Sequence, residues 1–265
     1  MVLAFLTLSA NAQFTDYTAG LLHCPSGEMH KSGTFVITNN FLNKNGIPSS
    51  GWDYNTFGYG FSITFFSRLE VAYGCTIFNG DWSPRAQRPD ASYRAKIMKN
   101  QDRHFVARVQ ALQEGEFGWK WMPSVVLGVS DPTSGGTGEN WGDYFDADVS
   151  GSGNGFFNRW FIAATKHFDT PWGVIGGTIG YQYNRRTDYP LNAPCAAITW
   201  NPKWLNVEGS FLSSFRVIAE FDSRTFNVGL TTSIWKDHFE AMFELKNMRW
   251  ISAGLRFKVV LKGSD

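Results

Sequence analysis

Residues 57–65 read FGYGFSITF. The odd positions are apolar or aromatic (Phe57, Tyr59, Phe61, Ile63, Phe65), and the even ones are small or hydroxylated (Gly58, Gly60, Ser62, Thr64). Successive side chains of a strand point to opposite faces, so a period of two marks a β-strand with one apolar and one polar face. After a short link the period resumes, with Leu69, Val71, Tyr73, Cys75 and Ile77 against Glu70, Ala72, Gly74 and Thr76. Two such runs so closely joined predict a hairpin.

The alternation recurs along the chain. Phe105, Ala107, Val109 and Ala111 oppose His104, Val106, Arg108 and Gln110, and a further strand is read from Trp119 and Trp121 through Val125, Leu127 and Val129. The stretches near 158–168 and 172–183 form another pair. Toward the end, Phe215, Val217, Ala219 and Phe221 oppose Arg216, Glu220 and Asp222, and the same pattern runs through Phe239–Leu245 and Ile251–Val259. Roughly twelve such strands follow Ser32, each about nine to eleven residues long, the length that lets a tilted strand cross a bilayer. No stretch keeps a 3.6-residue apolar period, so the fold class is all-β.

Composition narrows the setting. Aromatics make up 16% of the chain and charged residues 18%, the latter below the roughly 25% of soluble domains. No apolar run reaches the ~20 residues of a membrane helix. A net charge of +1 gives no reason to expect nucleic acid. Cys24, Cys75 and Cys195 are too few for a disulfide framework or a metal site, leaving free thiols or one disulfide with a spare thiol. At the amino end, apolar Val2–Leu8 followed by Ala10-Asn11-Ala12 reads as a signal peptide over residues 1–12, lacking its basic region.

Alternation alone does not say which stripe faces inward. Three features turn the apolar stripe toward lipid. So many aromatics would overfill one small barrel. Tryptophans and tyrosines cluster at strand ends (Trp52, Tyr54, Trp119, Trp121, Trp160, Trp172, Trp200, Trp204, Trp235, Trp250), as in interfacial girdles. The polar stripe of the last strands carries both signs at a spacing that allows pairing across a lumen. The expectation is an antiparallel transmembrane β-barrel of about twelve strands over residues 33–262, in the outer membrane of a Gram-negative bacterium, monomeric and in contact with lipid and lipopolysaccharide. Connections at 42–54, 79–102 and 130–157 are long and those near 66–68, 113–117 and 169–171 short, which places the long ones outside. The rule weakens later, where 202–213 is a long periplasmic link and 223–224 a tight outer one. Residues 13–32 are either a first strand, over Tyr17–His23, or a plug inside the lumen.

Several motifs carry a resemblance. The chain contains Gly20-Leu21-Leu22-His23-Cys24-Pro25-Ser26, PSVVLG at 123–128, FIAATKHF at 161–168, Ala219-Glu220-Phe221-Asp222 and the segment Phe61–Val71. In these it resembles the YjbH-like family of outer-membrane proteins, in its short Bacteroidetes-type form. The resemblance implies a non-enzymatic barrel supporting exopolysaccharide or capsule production or export, with polysaccharide or export-machinery proteins as partners; well-known members are longer.

Candidate sites follow from charge. Arg108, Lys166, Arg216, Glu220, Glu240, Glu244, Arg256 and Lys258 are expected to line the lumen, either as a path for a polar solute or as pairs that close it. Arg85, Arg88, Arg94 and Lys96 form a basic stretch able to contact phosphates or acidic sugars of the cell surface. Glu139, Asp143, Asp146 and Asp148 offer hard oxygen ligands for calcium, though at no defined calcium-loop spacing. No G-x-S-x-G or H-E-x-x-H element is present, and neither catalytic residues nor a cofactor are expected. The alternatives are a small-solute channel, a barrel-type lipid hydrolase and a soluble secreted binding barrel.

Overall fold

The computed structural model describes residues 11–46, 55–78, 100–132, 158–183, 192–205, 211–235 and 237–261. Two short strands come first, β1 (Asn11–Ala12) and β2 (Ala19–Gly20), paired with each other. Twelve strands then close into one antiparallel barrel: β3 (Thr34–Leu42), β4 (Thr56–Phe65), β5 (Leu69–Phe78), β6 (Asn100–Leu112), β7 (Ser124–Ser130), β8 (Arg159–Thr170), β9 (Gly173–Tyr183), β10 (Pro194–Pro202), β11 (Leu212–Phe221), β12 (Phe226–Ile234), β13 (Phe239–Lys246) and β14 (Trp250–Val260). Each strand pairs with its sequence neighbours, and β14 returns to β3 from Val260↔Thr34 to Ala253↔Phe41. Closure leaves no open edge, which is what a sheet requires in a medium that cannot hydrogen-bond its backbone.

The two stripes separate as the alternation predicts. Phe57, Tyr59 and Phe61 on β4, Phe105 on β6 and Ile198 on β10 are exposed on the outside, Phe105 at 61% and Ile198 at 64%. Ser62, Thr64, Glu70, Arg108, Arg216 and Arg256 are buried on the inside, the three arginines at 2% or less. An apolar exterior around a charged interior is the polarity of an outer-membrane barrel. Among the described residues no helix is long and apolar enough to cross a membrane; the chain crosses with strands.

Gly33, just before β3, and Leu261, just after β14, share one end of the barrel, joined by the Leu261 N–H bond to Gly33 O at 2.8 Å. At that end the connections are 66–68, 113–123, 171–172, 203–211 and 235–238. It carries exposed Phe66, Phe117, Trp119, Trp121, Trp172, Trp204, Phe211 and Trp235, a girdle at the periplasmic interface. Trp119 and Trp121 therefore stand in a turn and not in the strand expected from their spacing. Gly115 and Gly118 in left-handed conformation (φ 72° and 74°) and the Gly115 N–H bond to Met122 O fold 113–123 into a compact link, and β7 starts only after Pro123. The two links that strained the loop-length rule are real: 203–211 is the long periplasmic one and 222–225 the tight outer one.

Candidate functional site in the barrel lumen

Residues 13–32 form no barrel strand; 13–30 lie inside the barrel, and Lys31 and Ser32 are exposed on the way to β3. Phe14, Asp16, Tyr17, Thr18, Ala19, Leu22, Cys24 and Ser26 are fully buried. A backbone that leaves the sheet must find partners for its N–H and C=O groups, and here the wall supplies them.

Glu220, on β11, does this most fully. Its carboxylate accepts from three consecutive plug amides: Leu22 N–H at 3.1 Å, His23 N–H at 2.9 Å and Cys24 N–H at 3.2 Å. The His23 ring meets Glu244 of β13 at 2.7 Å. Across the lumen Glu70 accepts from Ala19 N–H at 3.1 Å and pairs with Arg108 at 3.1 Å, and Arg108 also donates to the carbonyls of Ala19 and Glu28. Gln110 donates to Gly27 O, Gly27 N–H donates to Thr165, Asn40 donates to Phe14 O, and the His104 Nε2–H bonds Thr15 O.

Two plug carboxylates meet wall cations. Asp16 pairs with Arg159, which also bonds Gln13 and Gln182. Glu28 receives Arg216 at 2.9 Å and His167 at 3.0 Å. Burial opposes ionisation of Glu28, but Arg216 and His167 outweigh it and hold its pKa down at about 2. His167 extends the chain to Glu114 of the periplasmic turn at 2.6 Å. Burial among Lys258, Arg108 and Arg256 keeps His30 neutral, its pKa lowered to about 3.

Shape complements charge. Gly58, Gly60 and Gly74 form a bare patch on β4 and β5, and the Tyr17 ring lies on it; a Cβ at any of the three would come within 2.1–2.7 Å of a Tyr17 atom. Gly229 of β12 makes the same room for Leu22.

Of the residues expected to line the lumen, Arg108, Arg216, Glu220, Glu240, Glu244, Arg256 and Lys258 are buried on the inner face, all but Glu220 in ion pairs. Arg256 and Lys258 both reach Glu240, at 2.5 Å and 3.2 Å. Lys166 does not belong with them. It shares the outward parity of exposed Ile162 and Phe168 and binds Glu114 at 2.7 Å on the periplasmic rim. β8 carries apolar residues on both faces, Phe161 inside and Ile162 outside, which hides its parity in the sequence. Glu70 and Arg159 were absent from the expected set although strand parity places both inside. Asp16 and Glu28 had no periodic signal at all. Arg85, Arg88, Arg94 and Lys96, the calcium candidates Glu139, Asp143, Asp146 and Asp148, and most of the signal-peptide stretch lie outside the described residues. Among the described residues no group of His, Cys, Asp and Glu is placed to hold a metal ion.

No protein-family profile and no curated protein matches the sequence. Solved structures do. Among them are a porin and several outer-membrane proteins. The KdgM porin in complex with disordered oligogalacturonate is 10% identical, with a TM-score of 0.42 over 85% of this chain and 96% of that one. The COG4313 outer-membrane channel from Pseudomonas putida F1 is 11% identical, with a TM-score of 0.40 over 88% and 97%. Wzi from Escherichia coli, an outer-membrane protein involved in group 1 capsule assembly, is 9% identical, with a TM-score of 0.31 over 86% of this chain and 56% of its own.

Proposed function

We propose that the protein is a non-enzymatic outer-membrane barrel whose polar lumen is held closed by its own amino-terminal segment and which serves surface-polysaccharide production or export. One observation carries the closed-passage part. The plug is fixed to the wall by polar and charged contacts, and the wall beneath it is polar: Thr38, Ser62, Thr64, Thr76, Thr178, Thr199, Thr231 and Ser252 line it between the charged pairs. Withdrawal of the plug would uncover a surface that water wets, and not an apolar one that would collapse or bind lipid. A permanently filled barrel has no need of such a lining.

The polysaccharide part rests on the YjbH-like resemblance, and the structure adds one supporting contact. The early motif supplies Leu22, His23 and Cys24, the later Ala219-Glu220-Phe221-Asp222 motif supplies Glu220, and the two are bonded to each other. Their co-occurrence then has a physical reason, as a plug and its seat. A small-solute channel uses the same geometry and differs only in what passes. As for catalysis, His23, His30 and His167 face carboxylates, and His104 and His238 face carbonyls, an arrangement that suits anchoring better than activation of a nucleophile.

The experiment is conductance in planar bilayers. The unaltered barrel should be silent for most of the record, and Glu220→Gln combined with Glu28→Gln should open it in bursts. If the double variant keeps its heat-shifted gel band and stays as silent as the parent, the lumen is a sealed scaffold. A deletion strain that keeps its normal surface polysaccharide would remove the polysaccharide part and leave the channel.

A further inference from the structure

The plug carries one cysteine, and it comes to rest beside another on the wall. Cys24 Sγ lies 3.3 Å from Phe221 O and 4.0 Å from Ala196 O. Ala196 and Phe221 are directly paired between β10 and β11. Cys195, the residue before Ala196, belongs to the lumenal parity of β10 and is 2% exposed. Its partner on β9 is Gly180, so no neighbouring side chain on that strand covers the thiol. Cys24 and Cys195 share a buried apolar cluster with Leu22, Ala197 and Ile218. Both are free thiols. The third cysteine, Cys75, is on β5 next to Tyr59 and outside this cluster.

An outer-membrane protein reaches its destination through an oxidising compartment. We propose that Cys24 and Cys195 are a disulfide site that tethers the plug covalently to the barrel wall. The two Sγ atoms join and release two protons and two electrons. A disulfide-bearing thiol oxidoreductase of the periplasm takes them up, its own S–S bond breaking to two thiols. Burial, the neighbouring Cys195 thiol and the nearby Glu220 carboxylate push the Cys24 thiol well above its ordinary pKa, so the finished reduced barrel reacts slowly. The bond belongs to the stage of assembly at which oxidant still reaches the plug. Once made, it fixes the segment seated on Glu220 and leaves the rest of the plug only its side-chain anchors. That effect on opening rests on the closed-passage reading; the bond itself does not.

The test uses the full chain, both extracted from outer membranes and refolded into detergent with a glutathione redox pair. Each preparation is denatured and its free thiols are labelled with a mass-tagged maleimide, with and without prior reduction. The expected result is one label, on Cys75, before reduction and three after it, with Cys24→Ser and Cys195→Ser each giving two labels in both cases. Three labels before reduction in both preparations, from barrels that keep their heat-shifted gel band, would overturn the proposal. Conductance reads the consequence separately: a tethered barrel that reduction leaves equally silent counts against the closed passage and not against the bond.

Discussion

A Cβ on Gly74 would lie 2.3 Å from Cε2 of Tyr17, so the tyrosine ring occupies the volume that a side chain on β5 would otherwise fill. Gly58 and Gly60 extend the same bare surface on β4. Plug and wall therefore fit by subtraction: the wall gives up three side chains and the plug supplies one ring.

Gly74→Val should force Tyr17 out of this slot at a cost of about 1–3 kcal/mol, the usual penalty for overfilling a well-packed site. The barrel should still run as a heat-shifted band, because the outward face of β5 is untouched. Protease added to detergent-solubilised protein should then cut within residues 13–32 faster than in the parent. Equal rates would mean that the ring does not anchor the segment.

Glu28 and Arg216 should behave as a coupled pair. Breaking a buried ion pair from one side costs about 3–5 kcal/mol, because the other charge is left in a poorly solvating site. Glu28→Gln and Arg216→Gln together should cost less than the sum of the two alone, with a coupling above about 1 kcal/mol in urea unfolding from detergent. Strict additivity would show that the 2.9 Å contact carries no energy of its own.

Acid should loosen the plug. The Glu28 pKa is about 2 when docked against an ordinary 4.5, so its contribution is complete above 4.5 and is lost as pH falls toward 2. His30 is held neutral down to about 3 where a free histidine protonates at 6.5, so between those values the released plug binds a proton that the docked one does not. Both act in the same direction. Protease sensitivity of residues 13–32 should rise steadily as the pH falls from about 6.5 to 3. An unchanged rate over that range would contradict the anchoring described here.

The outward stripe offers a test of polarity. Phe105→Arg, in mid-strand on β6, should impair folding into lipid by roughly 2–4 kcal/mol, and Phe117→Arg, in the periplasmic turn, by no more than about 1 kcal/mol. Comparable penalties at both sites would misplace the hydrocarbon band.

How much of this could be read beforehand differs by element. The barrel was legible because each strand obeys a local period of two, visible within nine residues at Phe57–Phe65. Gly58, Gly60 and Gly74 read only as members of the polar stripe. Their use as a slot depends on Tyr17, which is remote in sequence and carries no period of its own. Glu28 and Arg216 stand 188 residues apart, and nothing local to either names the other. Glu70 and Arg159 were within reach, since parity alone sets them inside. Trp119 and Trp121 misled because interfacial tryptophans favour strand ends and turns alike, and their spacing of two imitates a strand.

The pairing of β14 with β3 bears on how the molecule is made. The plug directly precedes β3, which gains its second neighbour only when β14, the last of the twelve barrel strands, docks against it. The stopper is thus synthesised before every strand of the barrel, and the seam beside it is sealed only after β14 has been made. Closing that seam joins residues more than two hundred positions apart, a contact of the slowest kind to form. The segment that fills the lumen is therefore available to the wall before the wall closes, and the seam beside it is the joint whose formation completes the cylinder.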